Sequence, residues 1–183
     1  TLYHATFPET LRRAQNSVDH AVDQDVLDAF IPYAARLNAD EVDDIDDAWR
    51  TVADLLDADP SALRGELKPF TDLVSVVEHT RTLLIALSDG ALPSNVRGGH
   101  NLRVILRRCF NIIRAHDWDL TLDDLVDWHA DELSDLFPEL QDHTEHVKHI
   151  LSVEHDKYQS TKQDHERLIQ DVVDDGGASD NRI

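Results

Sequence analysis

This chain has no methionine, a single cysteine and no long apolar segment. One thiol, Cys109, excludes an internal disulfide framework and any cysteine-based zinc site within the chain. No apolar run approaches the roughly 20 residues of a membrane span, and no basic start leads into the apolar core of a secretory signal. We therefore expect a soluble, cytoplasmic protein with no membrane partner. The missing methionine and the ordinary sequence at Thr1 indicate a piece of a longer protein.

Lysine is scarce as well, and acidic residues dominate the charge. The sequence has 28 Asp and 9 Glu against 13 Arg and 4 Lys, which gives a formal net charge of −20. Carboxylates spread along a chain with so few lysines are typical of adaptation to molar salt, where charge repulsion is screened within about 3 Å. The composition therefore predicts a halophilic protein. The alternative is an acidic domain that binds a basic partner.

Apolar residues recur at three- and four-residue spacing, and almost no segment alternates like a strand. This predicts an all-α fold: a helical bundle with a long C-terminal helix. The most apolar segment, residues 71–88, is predicted to be the buried central helix. The other predicted helices cover residues 9–20, 25–37, 40–55, 60–67, 122–133 and 142–173, with an arginine-rich helix after Gly99. We divide the chain into a helical domain over 1–140, the long helix of the same domain over 141–176, and a linker or tail over 177–183.

The stretch from residue 91 to residue 116 contains no acidic residue, although the whole chain is so acidic. It begins with a loop rich in proline and glycine and continues into the arginine-rich helix. At about 100° per residue, His100, Arg103, Arg107 and Arg114 fall within a stripe of about 60°, whereas Cys109 and the apolar residues lie on the opposite side. One face of this helix is therefore predicted to be buried and the other to present guanidinium groups.

Guanidinium groups pair with phosphates through two parallel hydrogen bonds, so a linear arginine array suits a nucleic-acid backbone. A simpler interpretation is that these arginines neutralise the protein's own aspartates. A third is a free-standing acidic helical module that binds protein and not RNA, in which Arg103 and Arg107 would be buried in internal ion pairs.

Two histidine-containing patterns suggest other chemistry. His143, His146 and His149 recur every three residues, and a helical regulator that binds a metal through His143 and His146 with Glu145 or a partner chain is an alternative. The segment 78–81 could be an acid–base cluster, but its Glu and Arg at i,i+3 are expected to neutralise each other. No Walker, GxSxG, HExxH or Rossmann motif is present. We therefore predict neither a catalytic residue nor a metal ligand.

Several segments resemble one family over nearly the whole chain. The run from Glu78 to Asn95 ends in Asp-Gly-Ala-Leu-Pro-Ser-Asn, and Gly-Gly, Leu-Arg and Leu-Arg-Arg follow at residues 98–99, 102–103 and 106–108. This pattern resembles the middle region of archaeal-type alanyl-tRNA synthetases. Upstream, residues 1–8, 33–42 and 48–49 also resemble that family.

The resemblance implies that residues 1–140 form a helical tRNA-recognition domain of a class II ligase that attaches alanine to tRNA(Ala) using ATP. Its implied partners are the acceptor stem of tRNA(Ala) and the aminoacylation domain of the parent chain, and not DNA. ATP and magnesium would be bound before Thr1, and zinc in an editing region after Ile183. The fragment itself is therefore expected to hold no cofactor and to be catalytically inactive.

The resemblance also implies a set of RNA-binding residues. The family identifies its tRNA by a G·U wobble pair approached from the minor groove, into which the guanine amine projects. Asn95 would read this pair, Arg103 and Arg107 would contact phosphates, and Arg108 would contact RNA or form a structural ion pair. The full implied set is Ser94, Asn95, Arg97, His100, Arg103, Arg107, Arg108 and Arg114. The family pairs its asparagine with an aspartate in a later motif that this sequence does not contain, and a tyrosine is common where His100 stands.

Overall fold

The computed structural model describes residues 6–18, 22–37 and 43–179, with side chains as far as residue 169. Its helices are α1 (Pro8–Ser17), α2 (Gln24–Phe30), a 3-10 helix (Ile31–Leu37), α3 (Ile45–Leu55), α4 (Pro60–Ser88), α5 (Arg97–Ala115), α6 (Leu122–Leu133) and α7 (Glu139–Ser179). These described ranges contain no strand, which confirms the predicted all-α class. None of the described helices is both long and apolar enough to span a bilayer.

Helix α4 is the centre of the bundle, as the apolar content of residues 71–88 predicts. Leu73, Val77 and Leu84 on this helix have no exposed surface, and α1, α3, α5, α6 and α7 all pack against it. On α5, Leu106 and Cys109 are buried, which confirms the predicted apolar face. Burial raises the pKa of the Cys109 thiol to about 12, so this thiol is protonated and unreactive at neutral pH.

Local sequence signals fix several helix ends. The Asp59 carboxylate accepts a hydrogen bond from the Ala62 N–H at 2.8 Å, directly before a proline at the first helical position of α4. Thr121 Oγ1 accepts from the Asp124 N–H at 3.1 Å and caps α6. At the other end of α4, Gly90 takes a φ of 85°, which only glycine adopts without strain.

Pro69 does not interrupt α4, so the prediction of two separate helices over residues 60–67 and 71–88 is wrong. A proline inside a helix removes the hydrogen bond to the carbonyl four residues earlier, at a cost of about 3 kcal/mol. Leu63, Leu67 and Phe70 are nevertheless buried at three- and four-residue spacing, in step with the apolar residues that follow. Their burial offsets the cost, because each large apolar side chain contributes about 1.5–3 kcal/mol.

Other boundaries differ from the predictions by a few residues. The predicted helix over 25–37 divides into α2 and the 3-10 helix, because Pro32 cannot donate the next helical hydrogen bond. The predicted helices over 9–20 and 40–55 appear as the shorter α1 and α3, and residues 19–21 and 38–42 lie outside the described residues. Helix α7 continues through the two glycines to Ser179, into the predicted linker over 177–183. Residues 180–183 and residues 1–5 also lie outside the described part of the chain.

Candidate nucleic-acid interface

The loop between α4 and α5 is closed by the backbone and by one hydroxyl group. The Ser94 N–H donates to the Gly99 carbonyl at 2.9 Å, and Ser94 Oγ donates to the Val96 carbonyl at 3.0 Å. Arg97, the first residue of α5, takes a φ of 50°, an uncommon conformation for a residue with a side chain. Asn95 is exposed at the tip of this loop. The loop therefore presents Asn95 to solvent from a closely defined backbone.

Gly99 is the residue on which this closure depends most. A Cβ atom at this position would overlap Ser94 Oγ and would lie 2.5 Å from the Leu92 carbonyl oxygen. The backbone of the loop would have to move to make room for it. At the neighbouring Gly98, nothing lies within 4 Å of a Cβ atom.

Gly99→Ala is expected to lower the free energy of unfolding by about 1–2 kcal/mol, because overpacking forces a backbone shift. Gly98→Ala is the matched control, and it should leave stability unchanged or raise it by up to about 1 kcal/mol. Denaturant unfolding of the two variants measures the difference. Equal stabilities would show that the loop is not closed as described.

Arg103 does not lie on an open face, so this part of the predicted arginine stripe is wrong. Its guanidinium donates from Nε to one carboxylate oxygen of Glu154 at 2.9 Å and from Nη2 to the other at 3.1 Å. Nη1 donates to Asn95 Oδ1, and Nη2 also lies 3.3 Å from the Pro93 carbonyl oxygen. The Arg103 side chain is only 16% exposed. Arg103 therefore links helix α7 to the loop instead of presenting its charge to solvent.

The carboxylate that holds Arg103 is itself almost covered. The Glu154 side chain is 7% exposed and also accepts from Lys157 Nζ at 2.8 Å. Burial alone would raise the pKa of Glu154, but hydrogen bonds from Arg103 and Lys157 outweigh burial and lower this pKa below its usual range. Glu154 is therefore ionised at neutral pH and can hold a guanidinium group.

The other arginines of α5 lack acidic partners, in contrast to most of the chain. Within the described residues, no carboxylate oxygen lies within 4.0 Å of the guanidinium groups of Arg97, Arg107, Arg108 and Arg114. All four side chains are exposed, as is His100. Of the described arginines outside α5, only Arg36 also lacks an ion pair. Among the described residues, four of the five arginines and lysines without an ion pair therefore lie on one helix.

A shallow groove between α4 and α5 collects part of this charge. Its volume is about 450 Å³, and its lining residues include Lys68, Asp72, Arg107, Arg108 and Asn111. Asp72 is occupied by Lys68 Nζ at 2.6 Å and by His116 Nε2 at 2.8 Å. The two arginines of the groove are therefore available to an anion outside the protein.

Arg114 lies apart from the loop and the groove. It lines a separate cavity of about 400 Å³ near the end of α5, together with Phe110, Trp118 and Tyr158. Five of the eight predicted site residues thus lie in three places: Ser94 and Asn95 in the loop, Arg107 and Arg108 in the groove, and Arg114 at the rim of this cavity.

The metal-binding alternative requires His143 and His146 to converge on a ligand with Glu145 or a partner chain. In the part of the chain that the structure describes, no three His, Cys, Asp or Glu side chains converge as metal ligands. Glu145 pairs instead with Lys148 at 3.2 Å. The segment 78–81 contains the expected ion pair, Arg81 to Glu78 at 2.7 Å.

Sequence reasoning missed two residues of this region. Glu154 follows Val147 and Leu151 at helical spacing and therefore lies on the buried face of α7. A carboxylate on a buried face is seldom unpaired, so its position was the signal that a cation from another helix pairs with it. Lys68 is one of only four lysines, and its place in the groove depends on how α4 and α5 cross.

Comparison with known families identifies the class of protein. The family model described as "tRNA synthetases class II (A)" matches residues 64–180, which include nearly all of α4 and the whole of α5 and α6. The chain therefore belongs to this family of class II tRNA synthetases.

Similar curated proteins are alanine–tRNA ligases from archaea. The ligase of Methanocella arvoryzae is 36% identical over 171 residues, which cover 93% of this chain and 19% of that protein. The ligase of Cenarchaeum symbiosum is 35% identical over 97% of this chain and 20% of its own length. The ligase of Halorubrum lacusprofundi is 28% identical over the whole chain and 19% of its own length. The chain thus spans about a fifth of the relatives it matches.

Proposed function

We propose that this chain is the helical domain through which an alanine–tRNA ligase recognises the acceptor stem of tRNA(Ala). The complete ligase would attach alanine to that tRNA using ATP and magnesium, with zinc in its editing region. This chain has none of the motifs for those steps, so its own contribution is to bind and orient the RNA.

The observation that carries this proposal is the uncompensated arginine charge beside the Asn95 loop. Arg107 and Arg108 are exposed in the groove, and Arg97 stands at the start of α5. Contacts from such residues to phosphates set the register of a protein on RNA without reading its sequence. Base discrimination then requires a separate polar group, and Asn95 is exposed in the loop that leads into α5.

The hydrogen bonds of Asn95 define what it offers to a base pair. Arg103 occupies one acceptor position of Asn95 Oδ1, and a carbonyl oxygen has a second lone pair. Asn95 Nδ2 makes no hydrogen bond within the described residues. Asn95 therefore has an acceptor for the guanine amine of a wobble pair and a donor for a neighbouring oxygen, as a minor-groove contact requires.

We also propose that the protein works at high salt. The excess of Asp and the scarcity of Lys support this, because surface self-repulsion is tolerable only when it is screened. Molar salt also weakens phosphate contacts. Direct contacts such as that of Asn95 would then supply a larger share of RNA recognition.

Binding of two acceptor-stem hairpins tests the proposal. They differ only in having a G·U or a G·C pair at one position. Binding is measured at about 0.2 M and about 2 M KCl, because phosphate contacts weaken strongly between these salt concentrations. We expect the chain to prefer the G·U hairpin, and Asn95→Ala to abolish that preference because it removes the minor-groove contact. Asn101→Ala, an exposed asparagine on α5, is the control and should retain the preference.

Each other outcome has a distinct meaning. Equal binding of both hairpins by the unmodified chain would overturn Asn95 as the reader, and only backbone affinity would remain. Folded protein that binds neither hairpin would favour the acidic protein-interaction module. That alternative expects internal ion pairs at both Arg103 and Arg107; Arg103 has one, whereas Arg107 is exposed.

A further inference from the structure

Helix α7 contains a buried carboxylate, Glu154, that makes none of the RNA contacts proposed above. Glu154 is almost fully covered and lies 51 residues from Arg103 in sequence. A carboxylate in such a place pays a desolvation cost that a surface ion pair avoids. It forms no ion pair with the exposed Arg107 or Arg108. Its only described partners are Arg103 and Lys157.

The Arg103 guanidinium is used on two sides at once. Nε and Nη2 face the two oxygens of Glu154, whereas Nη1 and Nη2 face Asn95 Oδ1 and the Pro93 carbonyl. A guanidinium is planar, with its N–H donors in a fixed fork. Two hydrogen bonds to Glu154 therefore fix the plane of the group, and that plane determines where Asn95 is held.

We propose that Glu154 is a positioning residue for RNA recognition: through Arg103, it fixes the side chain of Asn95 in the orientation that meets the base pair. Its importance for RNA rests on the function proposed above, but its effect on Asn95 exists in the free protein. Arg103 accordingly acts as a link between α7 and the loop, and the phosphate contacts fall to Arg107 and Arg108.

This assignment makes α7 part of the recognition site although it offers no base contact itself. The Asn95 loop is held at one end by α5, through the Ser94 to Gly99 hydrogen bond, and at its tip by α7 through Arg103. Because the Asn95 side chain is already held in this way, it loses little further rotamer freedom when RNA binds. The free energy of its contact with the base pair is then not offset by a large entropy cost.

Two substitutions test the link without removing the fold. Glu154→Gln keeps the size of the side chain but removes the negative charge that holds the Arg103 guanidinium. Arg103→Lys keeps a cation for Glu154, but an ammonium cannot contact Glu154, Asn95 and Pro93 in one plane. Asp127→Asn is the matched control, because Asp127 forms another inter-helix ion pair with α7, to Lys148 at 2.7 Å.

The first measurement is made on the free chain by NMR. In both variants, we expect the Asn95 side-chain amide resonances to move to the positions of a solvated asparagine, and the Ser94 amide to exchange at least about tenfold faster as the loop opens. Asp127→Asn should leave both signals unchanged. Unchanged Asn95 signals in folded Glu154→Gln and Arg103→Lys would overturn the proposal, whatever the RNA results are.

The second measurement uses the two hairpins described above. We expect Glu154→Gln to lower the preference for G·U to the level of Asn95→Ala, while affinity for the G·C hairpin changes less than about threefold, since phosphate contacts remain. In the Asn95→Ala background, Glu154→Gln should have no further effect on that preference, as for two residues that act as one unit. A general loss of affinity for both hairpins would instead mean a merely structural role.

The two measurements separate the two proposals. If the unmodified chain does not distinguish the hairpins, the proposed reading of the wobble pair fails, and the NMR signals still decide whether Glu154 positions Asn95. If the unmodified chain distinguishes them and Glu154→Gln does so equally well, the positioning role fails alone.

Discussion

The free energy of unfolding is expected to fall by about 3 kcal/mol between pH 7 and pH 4 through one histidine. His129 on α6 has no exposed surface, and its Nε2 lies 2.9 Å from the Val77 carbonyl oxygen of α4. Its Nδ1 is buried without a hydrogen-bond partner within the described residues. Burial lowers the pKa of His129 to about 4, so the folded protein holds it as a neutral donor to Val77.

The sign of the pH effect follows from this shift. In the unfolded chain, His129 takes up a proton below its ordinary pKa of about 6.5, whereas the folded protein resists protonation until about pH 4. Stability due to His129 is therefore full above pH 6.5 and is lost as the pH falls from 6.5 to 4. At about 1.4 kcal/mol per pKa unit, the loss is about 3 kcal/mol.

A comparison with His129→Gln isolates this contribution from that of the many carboxylates. Glutamine offers an N–H to Val77 but does not titrate. Denaturant unfolding is measured at about pH 7, 5 and 4 and at constant salt, because these values span the two pKa values of His129. The free energy of unfolding should fall less with decreasing pH for the variant than for the unmodified chain. Parallel pH dependences would show that His129 is not held neutral in the folded protein.

Replacing Arg107 and Arg108 together by alanine is expected to weaken binding to both hairpins about tenfold at low salt. Each exposed guanidinium that contacts a phosphate contributes roughly 0.5–1 kcal/mol. The slope of log affinity against log salt should also decrease by about 2, because two fewer counterions are released. The preference for G·U over G·C should remain, since these arginines do not read the base pair.

Arg12→Ala combined with Arg50→Ala is the matched control for net charge. Both side chains are 60% exposed, on α1 and α3, and each is already paired with a carboxylate. This control removes the same charge but should change affinity less than about twofold, because these arginines are not free to contact phosphates. Similar losses in the two double variants would show that affinity follows overall charge and not the α5 face.

The fold could be predicted from the sequence where local signals agree with tertiary contacts. Thr121 caps α6, and Leu122–Leu133 is the helix that was predicted. Across Pro69, the local signal and the tertiary contacts disagree, and burial on both sides keeps α4 continuous. The start of α1 depends on Glu132 of α6, which accepts from the Glu9 and Thr10 N–H groups at 2.9 Å. No local pattern indicates a contact over such a distance in sequence.

The candidate site could be predicted only in part, for the same reason. Helical periodicity placed Leu106 and Cys109 inside and Arg107 outside, because both faces belong to one helix. Periodicity also placed Arg103 outside, and this failed because a carboxylate from α7 reaches it. The pairing of Arg103 with Glu154 is a tertiary contact, and a single sequence reports only that α7 carries a charge on its buried stripe.

The most direct measurement is the mapping of RNA contacts on the folded chain by NMR titration with the G·U hairpin. The account predicts shifts of the Asn95 side-chain amide, of the backbone from Gly98 to His100 and of the Arg107 and Arg108 signals, with the α1 and α3 signals unmoved. Shifts confined to α1 and α3, or none under conditions where the chain is folded, would contradict an RNA interface on α5.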